Sequence, residues 1–123
     1  MKFFILLFST IILSCSVKKY DCFDFKTGTF KYQNSKYSNW IITRNDSVQI
    51  EYDKKNNATI VDRVKWVSDC QYILITEKTT NYEYNSEASN KVNIDIIQIS
   101  KNKYKYRAFN DSLYIEDWLI KIE

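Results

Sequence analysis

The chain has 123 residues, 18 of them basic and 15 acidic, and a formal charge of +3 at neutral pH. So mild a balance speaks against nucleic-acid binding, which draws on a strong basic stripe. Histidine is absent and glycine occurs once, which removes Ser-His-Asp triads, the commonest metal ligand and phosphate-cradling loops.

The first segment reads as a targeting signal and not as part of a fold. Lys2 precedes an apolar run from Phe3 to Leu13, and the small residue Ser14 precedes Cys15. A charged start, a short apolar stretch and a small residue at the cut are the layout of a secretory signal. The run is well short of the roughly 20 residues that a spanning helix needs. Ile12-Leu13-Ser14-Cys15 resembles the lipobox of bacterial lipoproteins, with an aliphatic residue three places before the cysteine and a small one directly before it. The resemblance implies cleavage before Cys15 and lipid on its thiol; an ordinary secretory signal with an incidental cysteine is the alternative. One acyl chain binds a membrane marginally, whereas two or three hold it firmly. Residues 1–14 are then the signal, 15–20 a lipidated tether and 21–123 a single domain. No acidic residue follows Cys15 directly, so nothing resembles the aspartate signal that retains lipoproteins at the inner membrane, and no acidic cluster resembles the one that sends some to the cell surface. The expected location from that comparison of signals is the outer membrane, facing the periplasm.

With Cys15 committed to lipid, Cys22 and Cys70 are the cysteines left. An even remainder in an oxidising compartment points to one disulfide, with two buried thiols as the alternative. No histidine is present to activate a reactive thiol.

Along the domain, Asn, Asp, Ser and Lys clusters supply the turns that the lone glycine and absent proline cannot. Between them lie runs rich in residues that suit a pleated surface. In order they are Thr27 to Gln33, Trp40 to Arg44, Ser47 to Tyr52, Ala58 to Val67, Cys70 to Lys78, Lys91 to Ile99, Lys103 to Phe109 and Leu113 to Ile122. The polar stretch Thr79 to Asn90 is the one place where a short helix is tolerated, through Tyr82, Glu83, Tyr84, Glu87 and Ala88. Several runs alternate. Val48, Ile50 and Tyr52 oppose Gln49 and Glu51. Ile60, Val64 and Trp66 share a face with the out-of-place Asp62. Val92, Ile94 and Ile96 oppose Asn93 and Asp95, and Tyr104 and Tyr106 oppose Lys103, Lys105 and Arg107. Period two implies one packed face and one wet face. The expected fold is all-β, an antiparallel meander of about eight strands forming a small lipocalin-like barrel or a curled sheet.

Three stretches carry a wider likeness. They are Asp21-Cys22-Phe23-Asp24-Phe25-Lys26-Thr27-Gly28-Thr29-Phe30, Arg44-Asn45-Asp46-Ser47-Val48-Gln49-Ile50-Glu51, and Val64-Lys65-Trp66-Val67-Ser68-Asp69-Cys70-Gln71-Tyr72-Ile73-Leu74. Together they resemble a family of small lipoproteins of Bacteroidetes, especially flavobacteria, that carries no assigned activity. The label "DNA topoisomerase IV" often attached to that family does not fit an exported domain of this size. The resemblance supports compartment and fold more than function. Gly28, alone within a strand pattern, marks a bulge or a close backbone approach.

For chemistry, Arg44, Gln49, Glu51 and Trp66 are the polar and aromatic candidates for a ligand or partner site. The plainer reading is exposed cross-strand pairs plus a core tryptophan. Glu51 and Asp62 would be the acids of a carboxylate hydrolase, a distant alternative. No cofactor and no metal is expected. Tyr72, Tyr104, Tyr106 and Tyr114 could line a cavity. The functional expectation is a non-enzymatic binding or interaction module of the cell envelope, held to the membrane by its lipid and contacting an envelope protein or the outer membrane. The alternative is a carrier of a small apolar ligand. Interior volume separates the two: Trp66, Leu74 and Ile96 filling the centre would exclude a carrier, and a cavity of a few hundred Å³ would favour it.

Overall fold

The computed structural model describes residues 19–83 and 90–123. The signal, Cys15 and residues 84–89 of the tolerated helix lie outside the described residues. The described part is all-β. Its strands are β1 Gly28–Tyr32, β2 Trp40–Arg44, β3 Val48–Asp53, β4 Ala58–Ser68, β5 Gln71–Thr80, β6 Lys91–Ser100, β7 Lys103–Phe109 and β8 Tyr114–Lys121. Each pairs antiparallel with the next, and β8 returns to β1. The sheet is thus a closed up-and-down barrel, which leaves no unpaired edge.

Side chains make the turns. Asn45 Oδ1 accepts hydrogen bonds from the N–H groups of Ser47 at 3.0 Å and Val48 at 2.8 Å. Asp53 Oδ1 does the same for Lys55 at 2.9 Å, and Asn110 Oδ1 for Ser112 at 2.9 Å. Asn57, Asn81 and Lys101 take the left-handed conformation, with φ of 50°, 52° and 55°. Gly28, at φ +137°, meets the expectation of a close approach. A Cβ there would collide with the Glu123 carbonyl oxygen and lie 2.8 Å from Lys121 Cε, where β1 closes onto β8.

One end of the barrel is plugged. Cys22–Phe25 form a 3₁₀ turn, and the side chains of Asp21 and Asp24 each accept from the other's backbone N–H. Phe25 is fully buried, its ring 5.1 Å from Tyr104 and 5.8 Å from Tyr20. The Cys22–Cys70 disulfide spans a 5.2 Å Cα separation and ties this turn to the β4–β5 connection. Lys121 Nζ donates to the Asp24 carbonyl at 2.6 Å. Around the plug pack Phe30, Val64, Tyr72, Ile96 and Tyr104, all buried in the core.

β3 faces opposite to the expectation. Alternation predicts Val48, Ile50 and Tyr52 on the packed face, but Ile50 and Tyr52 are exposed, while Gln49 is buried and Glu51 turns inward. Register gives the reason. Gln49 pairs with Arg44 and Asp62, and Glu51 pairs with Ile42 and Ile60. Directly opposed residues share a face, and Ile42 belongs to the buried core. The pairing therefore carries Gln49 and Glu51 inside with it. The other alternating runs face as expected: Ile94, Ile96 and Tyr104 are buried.

Candidate functional site

The plugged end is organised by Arg44, which lies 2 % exposed at the end of β2. Its Nε donates to Gln49 Oε1 at 2.8 Å and its Nη1 to the Phe25 carbonyl at 2.8 Å. Its Nη2 donates to the hydroxyls of Tyr104 at 2.8 Å and Tyr72 at 3.0 Å. The two hydroxyls are themselves 2.9 Å apart. The guanidinium carbon sits 4.7 Å from the ring centroids of both Phe30 and Tyr72. Burial works against the charge, but the Tyr104 and Tyr72 hydroxyls outweigh it, and the Arg44 pKa lies above the usual arginine value. A buried cation held by acceptors on separate elements fixes the floor of the barrel.

Above that floor the barrel is hollow. A cavity of about 360 Å³ has apolar walls that include Ile42, Ile60, Leu74, Val92, Ile94 and Leu119. Its polar lining includes Gln49, Glu51, Asp62, Thr76, Tyr32 and Tyr106. A second hollow of about 310 Å³ shares Tyr32, Glu51, Ile60 and Tyr106 with the first. It adds Tyr37, Trp40 and Asp117, and so lies at the end of the barrel that carries the β1–β2 connection. Trp40 and Tyr82 meet there edge to face at 5.8 Å.

The acids of the cavity are poorly matched. Glu51 Oε1 accepts a hydrogen bond from the Tyr32 hydroxyl at 2.7 Å, and Asp62 Oδ1 accepts one from Thr76 Oγ1 at 2.9 Å. Asp62 is only 4 % exposed. Among the described residues neither carboxylate is in an ion pair. Burial, and secondarily the nearby charge of Asp62, push the Glu51 carboxyl up to about 7, against weaker opposing effects of Tyr32 and Arg44. Burial also raises Asp62, opposed by its bond from Thr76. Tyr32 and Tyr106 are raised chiefly by burial and remain neutral hydrogen-bonding groups.

Of the four sequence candidates, Arg44 and Gln49 are in direct contact and Glu51 lies in the same interior. They are not exposed cross-strand pairs. Trp66 stands apart at the plugged end, its ring 4.6 Å from Tyr72 and 5.1 Å from Lys26 Nζ. Its Nε1 is buried without a partner among the described residues. Leu74 lines the cavity without filling it, and Trp66 and Ile96 do not reach its lining. Tyr32 and Thr76 were not singled out from sequence. Asp62 had left a signal, as a lone acid on the apolar side of β4.

Fold and site together define an eight-stranded up-and-down barrel, plugged at one end and hollow above the plug. Compared with protein-family models, curated proteins and solved structures, the chain matches none.

Proposed function

We propose that the protein is a lipid-anchored binding protein that takes a small ligand with an apolar body into the barrel interior. The observation that carries this reading is the cavity of about 360 Å³, lined largely by apolar side chains and left open by Trp66, Leu74 and Ile96. Small-molecule sites typically occupy about 300–1,000 Å³ and combine apolar walls with a few polar groups. The anchor half of the proposal is supported by Ile12-Leu13-Ser14-Cys15. Its resemblance to a lipobox implies a chain held at a membrane.

Titration with the neutral dye N-phenyl-1-naphthylamine tests the cavity. The wild-type protein is expected to bind it saturably, one dye per barrel, with enhanced fluorescence. Leu74→Trp, which adds bulk to the cavity wall, is expected to weaken binding by about tenfold or more, equivalent to roughly 1.4 kcal/mol. Dye binding that is absent from the wild type, or equal in a folded Leu74→Trp variant, overturns the carrier reading.

A further inference from the structure

The polar groups of the cavity are arranged for a particular kind of ligand. Gln49 is 2 % exposed and lines the cavity. Its Oε1 is taken by Arg44 Nε at 2.8 Å, which turns the amide nitrogen away from the guanidinium. That Nε2 has two N–H donors and no hydrogen-bond partner among the described residues. Gln49 is the cross-strand partner of Asp62, yet no hydrogen bond joins them. Each carboxylate of the cavity has a single hydroxyl donor, Tyr32 for Glu51 and Thr76 for Asp62. A carboxylate can accept about four hydrogen bonds, so both keep acceptor capacity.

Placement matters as much as vacancy. Glu51 pairs with Ile60, so Asp62 is its diagonal neighbour on the interior face. Diagonal neighbours have Cα atoms roughly 7–8 Å apart. Two acids so placed repel each other, and a cation set between them satisfies both. Arg44, whose charge acts on Glu51, is committed to Gln49, Phe25, Tyr72 and Tyr104. Among the described residues no cation is paired with either acid, so a cationic ligand can supply the counter-charge. A buried charge without a partner is costly, and the cost is recovered when a partner arrives.

Building on the carrier reading, we propose that the ligand is an amphiphilic amine, its ammonium set between Glu51 and Asp62, an acceptor atom on the Gln49 amide, and its apolar body against Ile60, Leu74 and Val92. An anion would meet two like charges in a site of low polarity. A neutral alcohol would leave the two acids unsatisfied.

Displacement of N-phenyl-1-naphthylamine by decylamine, decanol and decanoate at pH 7.5 tests this. The three probes share a chain and differ in the charge of the head. Decylamine is expected to bind at least about tenfold tighter than decanol, the scale of one well-placed ion pair, with decanoate the weakest. Glu51→Gln/Asp62→Asn is expected to reduce the amine-to-alcohol ratio, both probes read on the same variant, to about twofold or less. Should the double variant unfold, Asp62→Asn alone is read the same way and must reduce the ratio. Decylamine binding no tighter than decanol, or a preference that survives these substitutions, overturns the amine proposal and leaves the carrier reading standing. Failure of the dye and all three probes to enter the wild-type barrel overturns both.

Discussion

Glu51 shows at the residue scale what a hollow barrel does to an acid. Its carboxyl, pushed by burial up to about 7, lies well above its ordinary 4.5. The groups facing it are Tyr32 on β1, Arg44 on β2, Asp62 on β4 and Tyr106 on β7, with Asp117 of β8 at the neighbouring hollow. Between pH 4.5 and 7 the folded state holds a proton that the unfolded chain gives up. The stability tied to this proton is fully present below pH 4.5 and is lost as pH rises through about 7. Asp62, also raised, adds to the same slope. Asp53 and Glu116, lowered through hydrogen bonds, oppose it only in the more acidic range. Ligand-free protein is therefore expected to be less stable at pH 8.5 than at pH 5.5. Glu51→Gln, which keeps an acceptor for Tyr32, is expected to gain about 2 kcal/mol more at pH 8.5 than at pH 5.5. Urea unfolding of both proteins at the two pH values checks this. An unchanged pH slope in the variant would show that Glu51 carries no such shift.

At the scale of elements, the plug is the feature with a separable contribution. The Cys22–Cys70 bond closes a loop with a sequence separation of 48. The chain-entropy account assigns about 4 kcal/mol to a loop of that length, and measured values usually fall at 2–4 kcal/mol. Cys22→Ser/Cys70→Ser is expected to destabilise the domain by that amount in urea. Amide exchange is expected to quicken around Phe25 and the β4–β5 turn before the mouth responds. Uniform loss of protection around the barrel would contradict a local plug. The strands themselves were legible in the sequence, because β-branched and aromatic runs stood between Asn, Asp and Ser clusters that do bend the chain. A barrel was expected beside a curled sheet, and the pairing of β8 with β1 decides for the barrel; the facing of β3 was not legible. Alternation shows that two faces differ, and burial normally names the inner one. In β3 the inner face carries Gln49 and Glu51, because the cavity accepts polar groups and the buried Arg44 binds Gln49 directly. The partners of Arg44 lie 5, 19, 28 and 60 residues away, beyond any local pattern. Asp62 was the legible exception, since an acid among Ile60, Val64 and Trp66 had either to break the strand or to line a polar interior.

For the molecule as a whole, the plug and the proposed anchor fix which way the cavity opens. Lys19, Tyr20 and Cys22 line one groove with Cys70 and Lys101, so the chain enters the barrel at the plugged end. Cys15 lies four residues before Lys19, and four residues reach at most about 14 Å. The opposite end carries Tyr37, Trp40 and Tyr82 around the outer hollow. β4, with 11 residues, spans about 35 Å along its length, or roughly 25 Å of barrel height at the usual strand tilt. A lipid on Cys15 would thus hold the plugged end against the bilayer and set the mouth well clear of it. A ligand would then arrive from the aqueous side or from a facing partner, not directly from the anchoring leaflet. Full-length lipidated protein in vesicles containing a nitroxide headgroup lipid tests this, with a fluorophore on Asn56→Cys in the β3–β4 turn or on Asn102→Cys in the β6–β7 turn. Quenching is expected at position 102 and not at position 56, and Cys15→Ala is expected to abolish both vesicle binding and fatty-acid labelling. Stronger quenching at position 56 would mean that the mouth meets the membrane. A Cys15→Ala protein that still takes up fatty acid would remove the anchor on which the orientation depends.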